Sequence, residues 1–484
     1  MAAVDPQGDV LDTPSAGPLV IRGGVLRGLG YVGSTLLALV GMALVTRHLG
    51  VANFGRFQTV ISLITVVGTV TDAGMATLGL REYSQVRDTE RGALVGSLLG
   101  LRITLTLTGA VIAAGIAAAL GYDSDLVVGA VLAGLGLALT VVQTTLTIPL
   151  AVELRNLPVA SLDVLRQLLT TVIYAALVVA GAGVVAFLAV TIPVGVVLVP
   201  VAAVLVRGRI SRPRIDLPGW GRLLRAAAVF SLAIAVGTIY LYTAQILVAG
   251  VTDARETGLF AASFRTFIVV GAIPGLLITV AFPLLSRAAR DDRERLSYAV
   301  QRLLDTSVVL GVGACVAFVV GAPAIIAIMA GSHFADAAPA LRVQGVTLLA
   351  TFVLAPTGFA LLSLHLHRAI LLANAAALTV MLPSVGLLAS AWGATGAAAG
   401  TVLGETTLAA GYLIALRYQA PQIMPRPGRG VRAVPAGLAA LAVLALPLPS
   451  WVQAVLALAV YVVMLALLRA IPEELRELLR RGRA

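Results

Sequence analysis

Apolar residues run in blocks from one end of the chain to the other, separated by short polar turns. A block of about twenty apolar residues, wound as a helix rising roughly 1.5 Å per residue, crosses a hydrocarbon core about 30 Å thick. The pattern predicts fourteen spans, at 25–46, 57–80, 94–120, 125–150, 160–182, 184–206, 226–249, 258–285, 299–329, 339–363, 367–390, 394–416, 432–449 and 451–469. They are numbered 1 to 14 below. The strands of a membrane β-barrel would instead alternate apolar and polar positions.

The spans fall into two sets. Span 1 leads through "RHLGVANFGRFQTVISLI" (47–64) into span 2, and span 7 leads through "VTDARETGLFAASFRTFIVV" (251–270) into span 8. Each is an apolar run, a polar turn, a glycine, an aromatic residue and a second apolar run; Gly55 aligns with Gly258, 203 positions on. Spans 2 and 8 end in similar charged stretches, "LREYSQVRDTERGALVG" and "LLSRAARDDRERLSYAV", and Arg102 and Arg302 follow early in spans 3 and 9. Six helices return a chain to the face it started from, so two such sets are parallel repeats about an axis along the membrane normal. The expected organisation is a disordered cytoplasmic tail over 1–22, a six-helix lobe over 23–206, a cytoplasmic linker over 207–225, a second six-helix lobe over 226–416, a cytoplasmic loop over 417–431, helices 13 and 14 over 432–469, and a basic cytoplasmic tail over 470–484. In the linker, Pro213, Pro218 and the amphipathic "WGRLLRAAAVF" predict a segment lying in the membrane interface.

Composition agrees with a polytopic α-helical membrane protein: 59% of residues are hydrophobic and 12% charged, against about 25% charged in soluble domains. The net charge of +11 does not mark a nucleic-acid partner, because its placement is topological. All 34 basic residues are arginine, and they gather in alternate loops: Arg81, Arg87 and Arg91, then Arg155, the 207–225 linker, the 287–295 stretch, Arg368, and 417–432. The intervening loops hold Arg47, Arg56 and Arg255 alone. The positive-inside rule then places both termini in the cytoplasm. Asp5, Asp9 and Asp12 precede any basic residue, unlike the positive start of a signal peptide. Cys315 is the single cysteine, so no intrachain disulfide forms. The exclusive use of arginine, with abundant Ala, Gly and Val, points to a bacterial source rich in GC.

The stretch "ALVTRHLGVANFGRFQTVISLITVVGTVTDAGMATLGLREYS" (43–84) resembles the opening of the oligosaccharide and polysaccharide flippases, the Wzx-like branch of the multidrug/oligosaccharidyl-lipid/polysaccharide (MOP) exporter superfamily. The shared features are a Leu-Gly…Phe-Gly turn, an Asp-Ala-Gly step and a terminal Arg-Glu; "TGLFAASFRTF" (257–267) resembles the family's opening of helix 8. The resemblance covers the first twelve spans, most strongly the first hundred residues. It implies an all-α, MATE-like protein with two six-helix lobes around a cavity, spans 13 and 14 being an addition. It further implies a polyprenyl-(di)phosphate-linked oligosaccharide as substrate, flipped from the inner to the outer leaflet of the plasma membrane. The implied partners are membrane lipid and the glycosyltransferases and polymerase of the same pathway. No cofactor is implied beyond a coupling ion, H+ or Na+.

Charge at membrane depth costs at least about 2.5–3.5 kcal/mol, so each such residue is a candidate for function. Arg265 lies in the otherwise apolar and aromatic "LFAASFRTFIVV" of span 8. Related lipid II flippases place cavity-facing arginines on helices 1, 2 and 8, which by resemblance brings in Arg27 and Arg47 flanking span 1, Arg56 opening span 2, and Arg265. Each has an ordinary alternative: an interface anchor for the three at helix ends, a salt bridge for Arg265. Arg102, with Arg166 and Arg302 like it, reads either as a snorkelling anchor near the inner interface or as a cavity cation. Asp72 in span 2 and Glu405 in span 12 are the deep acids, candidates for ion coupling or for structural hydrogen bonds. Asp305 is placed to pair with Arg302 at i, i+3. His365 and His367 lack the companions of a metal site. Gly271, Pro274 and Gly275 in span 8 form a candidate hinge, since proline removes a helix hydrogen bond.

Two other functions compete. A membrane glycosyltransferase needs a catalytic loop outside, and the outer loops are too short to hold one. A cation-coupled drug or metabolite antiporter of the same superfamily is the alternative transporter. With no lysine in the chain, a Gly-x-x-x-x-Gly-Lys phosphate loop is absent and ATP is not the direct drive.

Overall fold

A computed structural model describes residues 16–72, 74–153, 155–206, 212–275, 278, 293–425 and 428–470; for 16–32, 156 and 228–235 it describes the backbone alone. The expected tail over 1–15, the loop residues Arg207, Arg209, Arg287, Arg290 and Arg426, and the tail from 471 onward lie outside the described residues.

The fold is all-α, and helix occupies each of the fourteen spans among the described residues. Spans 1 and 2 lie within Ala16–Asp72, whose helical path breaks at Gly50 (φ 69°, ψ 177°), and span 2 resumes after Gly74 as Met75–Gln85. Spans 3 to 6 are Asp88–Ala119, Ser124–Leu146, Asn156–Val179 and, with a short helix over Val184–Leu188 ahead of it, Thr191–Leu205. Spans 7 to 10 are Leu217–Val251, Ala254–Gly271, Arg293–Met329 and Ala338–Ser363. Spans 11 and 12 share His367–Gln419, broken at Trp392 and Gly393, and spans 13 and 14 are Ala433–Leu441 and Ser450–Leu467.

Three boundaries differ from the sequence reading. Helix begins at Ala16, inside the stretch expected to be a disordered tail, because the apolar Leu19, Val20 and Ile21 extend the span upstream. Span 13 is helical only through a short 3-10 turn ending at Ala445, since Pro447 and Pro449 cannot continue it. The segment expected to lie apart in the interface runs on without a break as one 35-residue helix, Leu217–Val251.

Contacts divide the chain into two compact units. Unit 1 comprises Met1–His48 and Ile64–Ala235; unit 2 comprises Leu49–Leu63 and Val236–Ala484. In unit 1, the residues ahead of span 7 lie along span 3: the Arg214 N–H donates to the Gly96 carbonyl (2.9 Å), and Trp220 Nε1 donates to the Ser97 carbonyl (3.1 Å). In unit 2, spans 13 and 14 pack on span 9 through small residues, Ala433, Ala436 and Ala440 against Val309, Val312 and Val316. Close packing of small side chains is how helices associate where lipid removes the hydrophobic driving force. The Tyr461 hydroxyl fixes the contact by donating to the Val309 carbonyl at 2.6 Å. Large apolar side chains such as Val111, Leu372 and Val463 remain exposed, as expected of faces covered by acyl chains.

The two glycines aligned in the sequence touch one another. A Cβ on Gly55 would sit 2.7 Å from the Gly258 nitrogen, and one on Gly258 would sit 1.9 Å from the Val51 carbonyl oxygen. Spans 2 and 8 therefore cross backbone against backbone near their first turns, and only glycine permits that approach.

Gly393 is constrained differently: its φ of 56° and ψ of −138° suit glycine alone, and an added Cβ would lie 2.2 Å from Glu256 Oε2. That same oxygen accepts the Ala394 N–H at 2.8 Å, capping span 12. Gly393→Ala is expected to destabilise the protein by about 1–3 kcal/mol through backbone strain, with further loss from the displaced cap. Gly115→Ala, where a Cβ meets nothing within 4 Å, is expected to stabilise by about 0.5–1 kcal/mol. Thermal melting in detergent would compare the two.

Candidate functional site

Each unit holds a buried polar cluster. In unit 1 the helix that carries Asp72 is interrupted at Gly74 (φ 64°) and restarts at Met75. Asp72 thus lies two residues before a break in the middle of span 2. Arg102 comes from span 3, fourteen residues after Asp88 where that helix begins. Its Nε and Nη2 both lie 2.8 Å from Asp72 Oδ1, and its Nη1 donates to Thr145 Oγ1 on span 4. Arg102 is 3% exposed, so it is buried rather than extended towards a helix end. Beside it, Arg166 of span 5 donates from Nη2 to Gln143 Oε1, also on span 4. Two cations therefore converge on one helix, and a carboxylate compensates the first.

In unit 2, Glu405 of span 12 is 8% exposed. Thr351 Oγ1 of span 10 donates to its Oε2 at 3.3 Å, and the Tyr240 hydroxyl of span 7 is packed against span 12 beside it. Two turns on, Tyr412 accepts from Asn374 Nδ2 of span 11 at 3.2 Å. Four spans thus bring polar groups together, and among the described residues no basic side chain pairs with Glu405. The contrast between the units is electrostatic: Asp72 has an arginine, whereas Glu405 has hydroxyls.

Arg265 stands eleven residues into its helix, since span 8 begins at Ala254, four residues before the sequence reading placed it. It is half-buried, with no hydrogen-bond or ion-pair partner among the described residues. Its own helix surrounds it with Phe260, Phe264 and Phe267, whose rings stack in sequence at 5.2 and 5.9 Å. Arg47 and Arg56 are exposed. Arg27 lies in the helix of span 1, with its side chain outside the described residues. At the candidate hinge, span 8 is regular to Gly271, turns at Ala272, and is helical again over 273–275 around the buried Pro274; a Cβ on Gly271 would contact Thr351 at 3.5 Å.

Other polar residues singled out in the sequence make contacts of their own. Asp305 Oδ1 accepts the Gly430 N–H at 3.0 Å, tying span 9 to the loop before span 13. Arg302 donates to the Tyr298 hydroxyl and lies over that ring at 5.2 Å. The His365 and His367 rings meet edge to face at 5.9 Å. Sequence reasoning passed over Gln143, Thr145, Tyr240, Thr351 and Asn374. Each is a neutral polar residue in a largely apolar span, and only the packing of other helices marks it out.

This architecture is that of a polytopic α-helical membrane protein. It is similar to the structure of the lipid II flippase MurJ in an inward closed conformation (TM-score 0.75, 10% identity, covering 92% of this chain and 98% of that one). It is also similar to an inward-facing multidrug resistance MATE family transporter of the MOP superfamily (TM-score 0.65, 17% identity, 80% and 95%). A third likeness is to a MOP superfamily transporter from Pyrococcus furiosus (TM-score 0.55, 17% identity, 84% and 96%). No curated protein matches the chain in sequence. The model of the polysaccharide biosynthesis protein family matches residues 44–339, more than half of the chain, and the protein belongs to that family.

The Asp72–Arg102 pair can be tested directly. Removing one partner of a buried ion pair costs about 3–5 kcal/mol, because the other charge is left uncompensated. Asp72→Ala is expected to lower the melting temperature in detergent more than Asp72→Ala combined with Arg102→Leu. Equal effects would show that the pair carries no coupling energy.

Proposed function

We propose that this protein is a flippase carrying a polyprenyl-(di)phosphate-linked oligosaccharide from the inner to the outer leaflet, by alternating access, for cell-surface polysaccharide synthesis. The observation that carries this reading is Arg265: a half-buried guanidinium with no ion-pair partner among the described residues, within an apolar helix of a protein in the polysaccharide biosynthesis family. An unpaired cation at such depth is costly, and a phosphate or diphosphate would offset that cost through bidentate charge-assisted hydrogen bonds. The polar headgroup is the part of the substrate that cannot cross hydrocarbon unaided. Arg56, Arg47 and Arg27, at the ends of spans 1 and 2, would attract the same phosphate electrostatically, and hinge motion at Gly271, Pro274 and Gly275 would accompany the change of access. The protein works as a transporter rather than an enzyme, in the bacterial plasma membrane, with both termini cytoplasmic. It takes substrate from glycosyltransferases and delivers it to a polymerase.

Glu405 supplies the drive in this reading. A buried carboxylate with hydroxyl partners alone holds a proton or a small cation such as Na+ to balance its charge. Binding and release of that ion would couple the gradient to the cycle. The same feature favours the second reading, a cation-coupled drug or metabolite antiporter, so the substrate decides between them.

A strain lacking the gene is expected to accumulate lipid-linked oligosaccharide facing the cytoplasm; drug sensitivity without accumulation would favour the antiporter. Arg265→Ala is expected to reduce flipping in proteoliposomes at least about tenfold, the equivalent of one lost charge-assisted contact, at unchanged membrane insertion. Glu405→Gln is expected to remove the dependence of flipping on an ion gradient, measured by imposing H+ and Na+ gradients separately.

A further inference from the structure

Four side chains on two helices of unit 2 hold buried polar atoms with no hydrogen-bond partner among the described residues. They are Gln58 Oε1 and Ser62 Oγ on span 2, and Gln344 Oε1 and Nε2 with Thr347 Oγ1 on span 10. Their residues are 3%, 0%, 0% and 1% exposed. Buried polar atoms are satisfied in the large majority of cases, so a group of exceptions on two helices calls for a cause.

The helices concerned meet nearby. The Phe54 ring packs edge to face on Phe334 at 5.9 Å, joining the start of span 2 to the turn that leads into span 10. Gln58 and Ser62 follow Phe54 at i+4 and i+8, on one stripe of span 2. Gln344 and Thr347 share a face of span 10, two turns into Ala338–Ser363. The Gly55–Gly258 crossing adds span 8 to the group, with Arg265 seven residues beyond Gly258. Along spans 2 and 10, the unsatisfied atoms therefore follow the contact of two phenyl rings and the crossing of two glycines.

We propose that these contacts form a closure that opens in another state of the transport cycle, and that Gln58, Ser62, Gln344 and Thr347 then line the substrate path and hydrogen-bond the hydroxyls of the sugar chain. The inference rests on the flippase reading and deepens it. Amides and hydroxyls donate and accept without charge, which matches a neutral polyol. The guanidinium of Arg265 at similar depth matches the phosphate that joins the sugar to its lipid. Groups left unsatisfied when the path is shut raise the energy of the shut state and favour opening. The glycine crossing lets two backbones seal the path without a side chain between them.

The test uses the full-length protein in nanodiscs, with Cys315→Ala as background and Ser62→Cys or Thr347→Cys as reporters for a hydrophilic maleimide. A wedge at the crossing, Gly258→Ala or Gly55→Ala, is expected to speed labelling at least about tenfold, because modification follows the open population. A polyprenyl-diphosphate-linked disaccharide is expected to slow it again. Unchanged labelling in wedge variants that elute as folded protein overturns the opening. Faster labelling without protection by the lipid-linked sugar overturns the sugar assignment.

Gln344→Leu gives a second test that needs no wedge. A permanently buried glutamine, once replaced, would raise thermal stability and leave flipping unchanged, and that result overturns the proposal. The expected result is higher stability with KM for the lipid-linked sugar raised about five- to tenfold, as for one or two lost hydrogen bonds. If the wild-type protein flips no lipid-linked sugar while the wedge still exposes both reporters, the flippase reading fails and the opening stands.

Discussion

A charge among apolar helices has to be compensated where it lies, because neither water nor a high dielectric is at hand to do so. In unit 1 the chain meets that condition internally. Span 2 breaks its helix at Gly74, two residues after Asp72, and Arg102 is drawn into the pair instead of reaching along its helix for water. Thr145 and Gln143 on span 4 complete the arrangement for Arg102 and Arg166. Spans 2, 3, 4 and 5 are thereby tied together by polar contacts in a region where apolar packing alone specifies little.

Unit 2 meets the same condition differently, and the difference is where function enters. Thr351 and Tyr240 bring hydroxyls from spans 10 and 7 beside Glu405, and among the described residues no cation pairs with it; Arg265 is half-buried, with no anion paired to it among the same residues. The two opposite charges are not paired with each other. In the proposed cycle, an ion and an anionic headgroup would balance them.

Backbone contact sets the third feature. Repetition of the six-helix set brings the same glycine to corresponding places, and the two copies meet at Gly55 and Gly258. No side chain intervenes, so the contact has few interlocking groups to break.

Much of the fold was legible in the chain itself. Hydrophobic blocks of membrane-spanning length fixed the number and positions of the spans, since a segment in lipid has no structure but helix open to it. The internal repeat identified Gly55 and Gly258 as equivalent, and the lone charges in apolar runs marked Asp72, Arg102, Arg265 and Glu405 as the residues to follow. The sequence left open which of these charges find one another, because pairing depends on which helices become neighbours and at what rotation. Arg102 meets Asp72 across thirty positions, while Glu405 has Thr351 and Tyr240 beside it from separate spans. A neutral Thr or Gln in an apolar run looks the same whether it faces lipid or a buried cation. Tertiary packing alone tells the two apart, because it determines whether a partner lies within about 3 Å.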